Sequence, residues 1–260
     1  YADQSAAFVD ELVARAAACN YNVLILTVDV PIPSVRIRDL RNGFSYPMNW
    51  GANQLWDLAR HPNWSLATLL NAFSNGTPKP MNYATSTSGT TFIRSASRAG
   101  ADWTFLERLR DRWPGKLVVK GVQCPDDAKR ISSIGTDAIY VSNHGGRQLN
   151  AAPTSIDSLS QVREAVGNSM PIIFDGGIRN GEHVIKAVAS GANFVMIGRS
   201  ALYGLGAGGG RGLARIIDLL ADETSSVLGL IGHTRMKDVK RTSLAAFHSH
   251  PWDVKSEGRT

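Results

Sequence analysis

Several short stretches of this sequence end in residues that can move protons or grip anions. Ser142-Asn143-His144-Gly145-Gly146-Arg147-Gln148-Leu149 follows an apolar run. An imidazole exchanges protons near neutral pH. The two glycines let ring and backbone approach a ligand closely. A guanidinium three residues on can hold a carboxylate through two parallel hydrogen bonds. The same letters also describe a polar loop with a surface histidine, and the neighbouring stretches tip the balance. Asp175-Gly176-Gly177-Ile178-Arg179 follows a second apolar run and Gly198-Arg199 a third. Exposed amides beside an arginine, after two successive strands, make a cradle for a phosphate. Lys120 ends the run LVVKG, where an ammonium is costly unless it meets negative charge or reaches solvent. Thr27 and Asp29 lie at the end of VLILTVDV. Asp29 can hold an imidazole by its second nitrogen, or it can cap a turn. Arg36 lies in VPIPSVRIRDLRNGF with Arg38 and Arg41, cations of which one or two are simply solvated.

These residues need elements to position them. The runs VLILTVDV (23–30), KLVVKG (116–121), AIYVSN (138–143), PIIFDGG (171–177) and FVMIGR (194–199) are nearly all apolar, as strands covered on both faces are. Between them lie helical patterns at 5–18, 124–135, 155–167 and 181–191. Pro125 and Ser155 are suited to start helices, and Gly135, Gly167 and Gly191 to stop them. Late helices are expected at about 211–222 and 223–231. Repeated βα units imply a parallel sheet. Five strands would suffice for an open doubly wound sheet, whereas a closed TIM (β/α)8 barrel needs eight. The chemistry-bearing residues gather at the C-terminal ends of successive strands, which favours the barrel.

The 260 residues carry 28 Lys plus Arg and 22 Asp plus Glu, a net charge of +6. The basic residues are dispersed and form no nucleic-acid motif; the surplus suits an anionic ligand or an anionic membrane surface. Two cysteines build no disulfide framework and fit a reducing, cytoplasmic compartment. No metal is expected. No apolar run reaches the roughly 18 residues of a membrane span. Residues 41–100 interrupt the βα rhythm, with Trp50, Trp56 and Trp64 and five basic residues against Asp57 alone. Two readings of this insert stand: a membrane-surface patch, with no continuous amphipathic helix obvious, or a solvated lid. Residues 246–260 read as a C-terminal tail.

Taken in order, TVDV, RIRD, VVKG, SNHGGRQL, DGGIR and IGR resemble the FMN-dependent 2-hydroxy-acid dehydrogenases and oxidases, from Tyr1 to about residue 245. HPNWSLATLL and LRDRWPGKLVVKG are most similar to the mandelate and lactate dehydrogenase branch. The resemblance implies a TIM barrel with FMN at its C-terminal mouth. It assigns His144 as the base, Asp29 as its carboxylate partner, and Arg36 and Arg147 as the substrate-carboxylate clamp. Tyr1 matches a tyrosine that contacts the substrate hydroxyl. Thr27, Lys120 and Ser142 match flavin contacts. Asp175, Gly176, Gly177, Arg179, Gly198 and Arg199 match ribityl and phosphate contacts. Asn150 stands where the family usually has Asp. The first three barrel strands of the family pattern are missing, so residues 1–245 read as the C-terminal two-thirds of a barrel in a longer chain.

The implied activity is oxidation of an (S)-2-hydroxy acid, mandelate- or lactate-like, to the 2-oxo acid. A quinone or another acceptor would then take the electrons from reduced FMN. An oxidase that passes them to O2 and makes peroxide is the nearest alternative. An inactive phosphate-binding fragment is an alternative of another class. The resemblance also implies a homo-oligomer, commonly a tetramer. The insert allows peripheral contact with the inner face of the plasma membrane.

Overall fold

The computed structural model describes residues 6–32, 34, 36–43, 51–76 and 100–244. Tyr1, Trp50, residues 77–99 of the insert and the 246–260 tail lie outside the described residues. The chain divides into two compact units, Tyr1–Val118 with Arg147–Ala151, and Val119–Gly146 with Ala152–Thr260.

In the first unit, α1 (Ala6–Ala18) precedes β1 (Val23–Thr27), and α2 (Ile37–Arg41) follows. The insert holds two helices, α3 (Ala52–Arg60) and α4 (Pro62–Asn75). This corrects the expectation of an insert with no evident amphipathic helix. Pro62 occupies the first turn of α4, where a missing N–H costs nothing, and neither helix buries a residue. Next come α5 (Trp103–Arg112) and the start of β2 (Lys116–Val122). The Asp102 side chain caps α5 by accepting from the Phe105 amide at 2.7 Å. The turn from α5 into β2 is tied down on several sides. Trp113, buried, donates its indole N–H to the Lys116 carbonyl at 3.0 Å. Arg110 donates to the carbonyls of Trp113 and Gly115. A Cβ on Gly115 would lie 2.6 Å from the Asn22 carbonyl oxygen, so only glycine lets β1 and β2 meet there.

In the second unit the sheet continues from β2 through β3 (Ala138–Val141), β4 (Ile172–Phe174) and β5 (Phe194–Val195). The strands lie in chain order, and β3–β4 and β4–β5 pair in parallel. A doubly wound sheet reverses its strand order at a switch point; an unreversed parallel order is that of a (β/α)8 barrel wall. All four residues of β3 are buried, as expected for a strand covered on both faces. The intervening helices are α6 (Pro125–Ser133), α7 (Ser155–Val166) and α8 (Gly181–Ala189). Thr154 caps α7 and Asn180 caps α8 through their side chains. Gly135, Gly167 and Gly191 follow the helices with φ of 86°, 70° and 113°, a backbone that glycine adopts at least cost.

Arg163 of α7 clamps the N-terminal side of this sheet. It donates to the carbonyls of Gly191, Gly167 and Met170 and to Asn193 Oδ1, all at 2.5 to 2.9 Å. Burial lowers its pKa.

The last helical segment, α9, spans Arg199–Leu230 and breaks at Gly208 and Gly209. The expected division near 222/223 is therefore replaced by one at the glycines. The run Asp222-Glu223-Thr224-Ser225-Ser226 is helical, and within it Thr224 and Ser226 return their hydroxyls to the carbonyls of Leu220 and Asp222, which spares them from competing for the backbone N–H groups. The two arms fold back until a Cβ on Gly204 would lie 2.8 Å from the Gly212 carbonyl oxygen.

Candidate active site

The second unit brings three strand ends together. Tyr140 and Ser142 are two apart on β3 and its exit, so they share one face. Asp175 follows β4, and its amide donates to the Val141 carbonyl at 3.1 Å, which fixes its level beside Ser142. Lys120 reaches over from β2. Ser142, fully buried, is the hub. Its hydroxyl accepts from Lys120 Nζ at 2.8 Å and from the His144 amide at 3.0 Å, and it donates to Asp175 Oδ1 at 2.6 Å. Tyr140 donates its phenolic O–H to Asp175 Oδ2 at 2.9 Å. Lys120 Nζ lies 3.3 Å from the same oxygen and 4.8 Å from the Tyr140 ring centroid. The lysine's charge is thus met by a carboxylate, a hydroxyl and an aromatic face.

His144 leaves this hub on an unusual backbone. His144, Gly145 and Gly146 have φ of 55°, 65° and 72°. Left-handed backbone is uncommon for a residue with a side chain, and such conformations cluster where a side chain must be presented. The turn is held from several directions. Gly146 N–H donates to the Asn143 carbonyl and to Asn143 Oδ1. The Asn143 amide donates to Ser155 Oγ. Arg199 donates through Nη2 to the Gly145 carbonyl at 2.9 Å.

The glycines of the other two strand ends are of two kinds. Gly176, at φ 121°, has no room for a side chain, because a Cβ would sit 2.4 Å from Ser155 Oγ. Gly177 (φ 82°) and Gly198 have open space where a Cβ would be. Gly198 also precedes α9 with no side-chain cap. Ser200 donates to the Ile178 carbonyl at 3.1 Å, which joins the two loops. Open glycine amides, an uncapped helix start and the exposed guanidiniums of Arg179 and Arg199 suit a phosphate.

The first unit holds the remaining sequence-predicted residues. Thr27 ends β1, and Asp29 follows it, half-buried. Arg36 lies 3.9 Å from Asp39. Ser34 donates to the Arg147 carbonyl at 2.8 Å, which brings the Arg36 loop next to the backbone of Arg147, whose side chain is exposed. Arg36 and Arg147 are therefore neighbours in the fold although far apart in sequence.

Sequence reasoning missed Tyr140, Asn143 and Ser155. Tyr140 had one available signal: a phenol two residues before Ser142, on the same face, in an otherwise aliphatic strand.

A family model described as FMN-dependent dehydrogenase matches residues 1–246. Among curated proteins, an L-lactate dehydrogenase of Caulobacter vibrioides is 36% identical over 242 residues, 92% of this chain and 63% of its own length. An (S)-mandelate dehydrogenase of Pseudomonas putida is 38% identical over 226 residues, 85% of this chain and 56% of its own length. The chain thus spans less than two thirds of these relatives. Among solved structures, a monotopic membrane protein, (S)-mandelate dehydrogenase, superposes with a TM-score of 0.84 at 34% identity, covering 93% of this chain and 64% of that one. A Pediococcus acidilactici putative lactate oxidase gives 0.72 at 33% identity, over 93% of this chain and 58% of the other.

Proposed function

The chain belongs to the FMN-dependent dehydrogenase family, and from that membership we propose that it oxidises an (S)-2-hydroxy acid of the lactate or mandelate kind to the 2-oxo acid. The observation that carries this reading is the Arg199–Gly145 hydrogen bond. It fastens the turn that presents His144 to a cation of the phosphate cradle, so proton acceptor and cofactor anchor belong to one construction.

The residues of the second unit fit FMN. Gly177 and Gly198 offer amides with open space, and Arg179 and Arg199 offer charge for the phosphate. By the family resemblance, Asp175 and Gly176 would hold the ribityl chain, and Thr27, Lys120 and Ser142 would contact the isoalloxazine. FMN, when bound, accepts the two electrons that the substrate gives up. Arg36 and Arg147 hold the substrate carboxylate. The resemblance assigns the remaining roles: His144 would take a proton, Asp29 would support the resulting imidazolium, and Tyr1 would contact the substrate hydroxyl.

Anaerobic titration tests this. The FMN-loaded chain is expected to be yellow and to bleach on adding (S)-mandelate or L-lactate. A chain that takes up no FMN, or whose flavin stays oxidised across a panel of 2-hydroxy acids, refutes the reading. Aerobic turnover then separates acceptors: peroxide marks an oxidase, its absence a dehydrogenase that hands electrons to a quinone or another acceptor.

A second reading concerns the insert. Leu55, Trp56, Trp64, Leu66, Leu69, Leu70 and Phe73 of α3 and α4 are all more than half exposed. Apolar surface on this scale marks a docking face, and a similar solved structure is a monotopic membrane protein. Among the described residues no helix is long and apolar enough to cross a membrane. The insert reads as a peripheral membrane contact.

A further inference from the structure

We propose that Tyr140 is a positioning residue that sets how much of the Lys120 charge reaches the cofactor, an inference that rests on the FMN-dependent reading above. Tyr140 is 4% exposed in a strand whose other members, Ala138, Ile139 and Val141, are aliphatic. A buried phenol needs a partner for its hydroxyl. Tyr140 takes Asp175 Oδ2 at 2.9 Å and places its ring face 4.8 Å from Lys120 Nζ. One side chain therefore touches both members of the 3.3 Å Lys120–Asp175 pair, donating to the anion and attracting the cation.

The direction of the effect follows from that geometry. The O–H bond spreads the negative charge at Oδ2, and the ring face and Ser142 Oγ, at 2.8 Å, give the ammonium other places to rest. The Ser142 and Asp175 contacts engage two of its three N–H donors. Without the phenolic hydroxyl, Asp175 draws the ammonium more fully to itself. Less positive charge then remains to stabilise the extra electrons of a reduced flavin. A phenylalanine would fill the same volume, so packing alone does not require the oxygen.

The test is the flavin midpoint potential of the FMN-loaded protein, together with its FMN affinity. Tyr140→Phe keeps ring and volume and loses only the donor. It is expected to weaken binding of reduced relative to oxidised FMN about tenfold, a drop of about 30 mV for a two-electron couple. Asp175→Asn removes the competing charge and should raise the potential. In the Asp175→Asn background, Tyr140→Phe should change little, because the group it acts through is gone. An unchanged potential in Tyr140→Phe, an equal drop in both backgrounds, or no rise in Asp175→Asn overturns the inference while leaving the FMN reading intact. A wild-type chain that takes up no FMN refutes that reading and this inference with it.

Discussion

At His144 the proposed role of proton acceptor falls on a residue with left-handed backbone. Replacing it by Gln keeps size and polarity but removes the proton acceptor. Flavin reduction by a 2-hydroxy acid is then expected to slow by roughly 10²- to 10⁴-fold with FMN still bound, as stopped-flow absorbance would register. Gly176 is the complementary case, a position with no room for a side chain. Gly176→Ala would force a Cβ to within 2.4 Å of Ser155 Oγ at φ 121°, at a cost of about 1–3 kcal/mol, visible as a lower urea midpoint. His144, Lys120 and Asp175 were legible in the sequence because their types are out of place at the ends of apolar runs. Tyr140 was not, because an aromatic in a strand reads as core and its oxygen has no local partner. Nor was the link from Arg199 to Gly145, which spans 54 residues and exists only once the strands are side by side.

At the scale of elements, the βα units were legible from period and punctuation. Short apolar runs gave strands, and glycines with left-handed backbone closed α6, α7 and α8. The helices of the insert were not, because neither α3 nor α4 buries a residue. No core demands a stripe from them, and Pro62 reads as a breaker until it is seen to open a helix. The fold of α9 on itself was also hidden, since a glycine-rich run announces a bend without saying where the arms meet. Arg163 is the clamp between α7 and the sheet. Arg163→Met keeps most of the packing of its stem but leaves the carbonyls of Gly191 and Met170 without that donor. The expected loss is about 3 kcal/mol, measured by thermal or denaturant unfolding. Arg163→Lys should recover only part, because a single ammonium cannot span acceptors spread over two connections.

The whole molecule carries +6 together with the exposed apolar residues of α3 and α4. A surface that adds charge attraction to apolar insertion should bind anionic vesicles at low salt and release as salt rises. Co-sedimentation should detect this, and Trp56→Ser with Trp64→Ser should weaken it without altering the FMN spectrum. Failure to bind at low salt would leave the insert as a solvated lid. The unreversed strand order has a kinetic consequence. Ile139 meets Ile172 and Ile173 meets Phe194, so these two rungs close loops of about 33 and 21 residues, a modest entropic demand. From β3 onward assembly can therefore proceed vectorially, β4 docking on β3 and β5 on β4 as each leaves the ribosome.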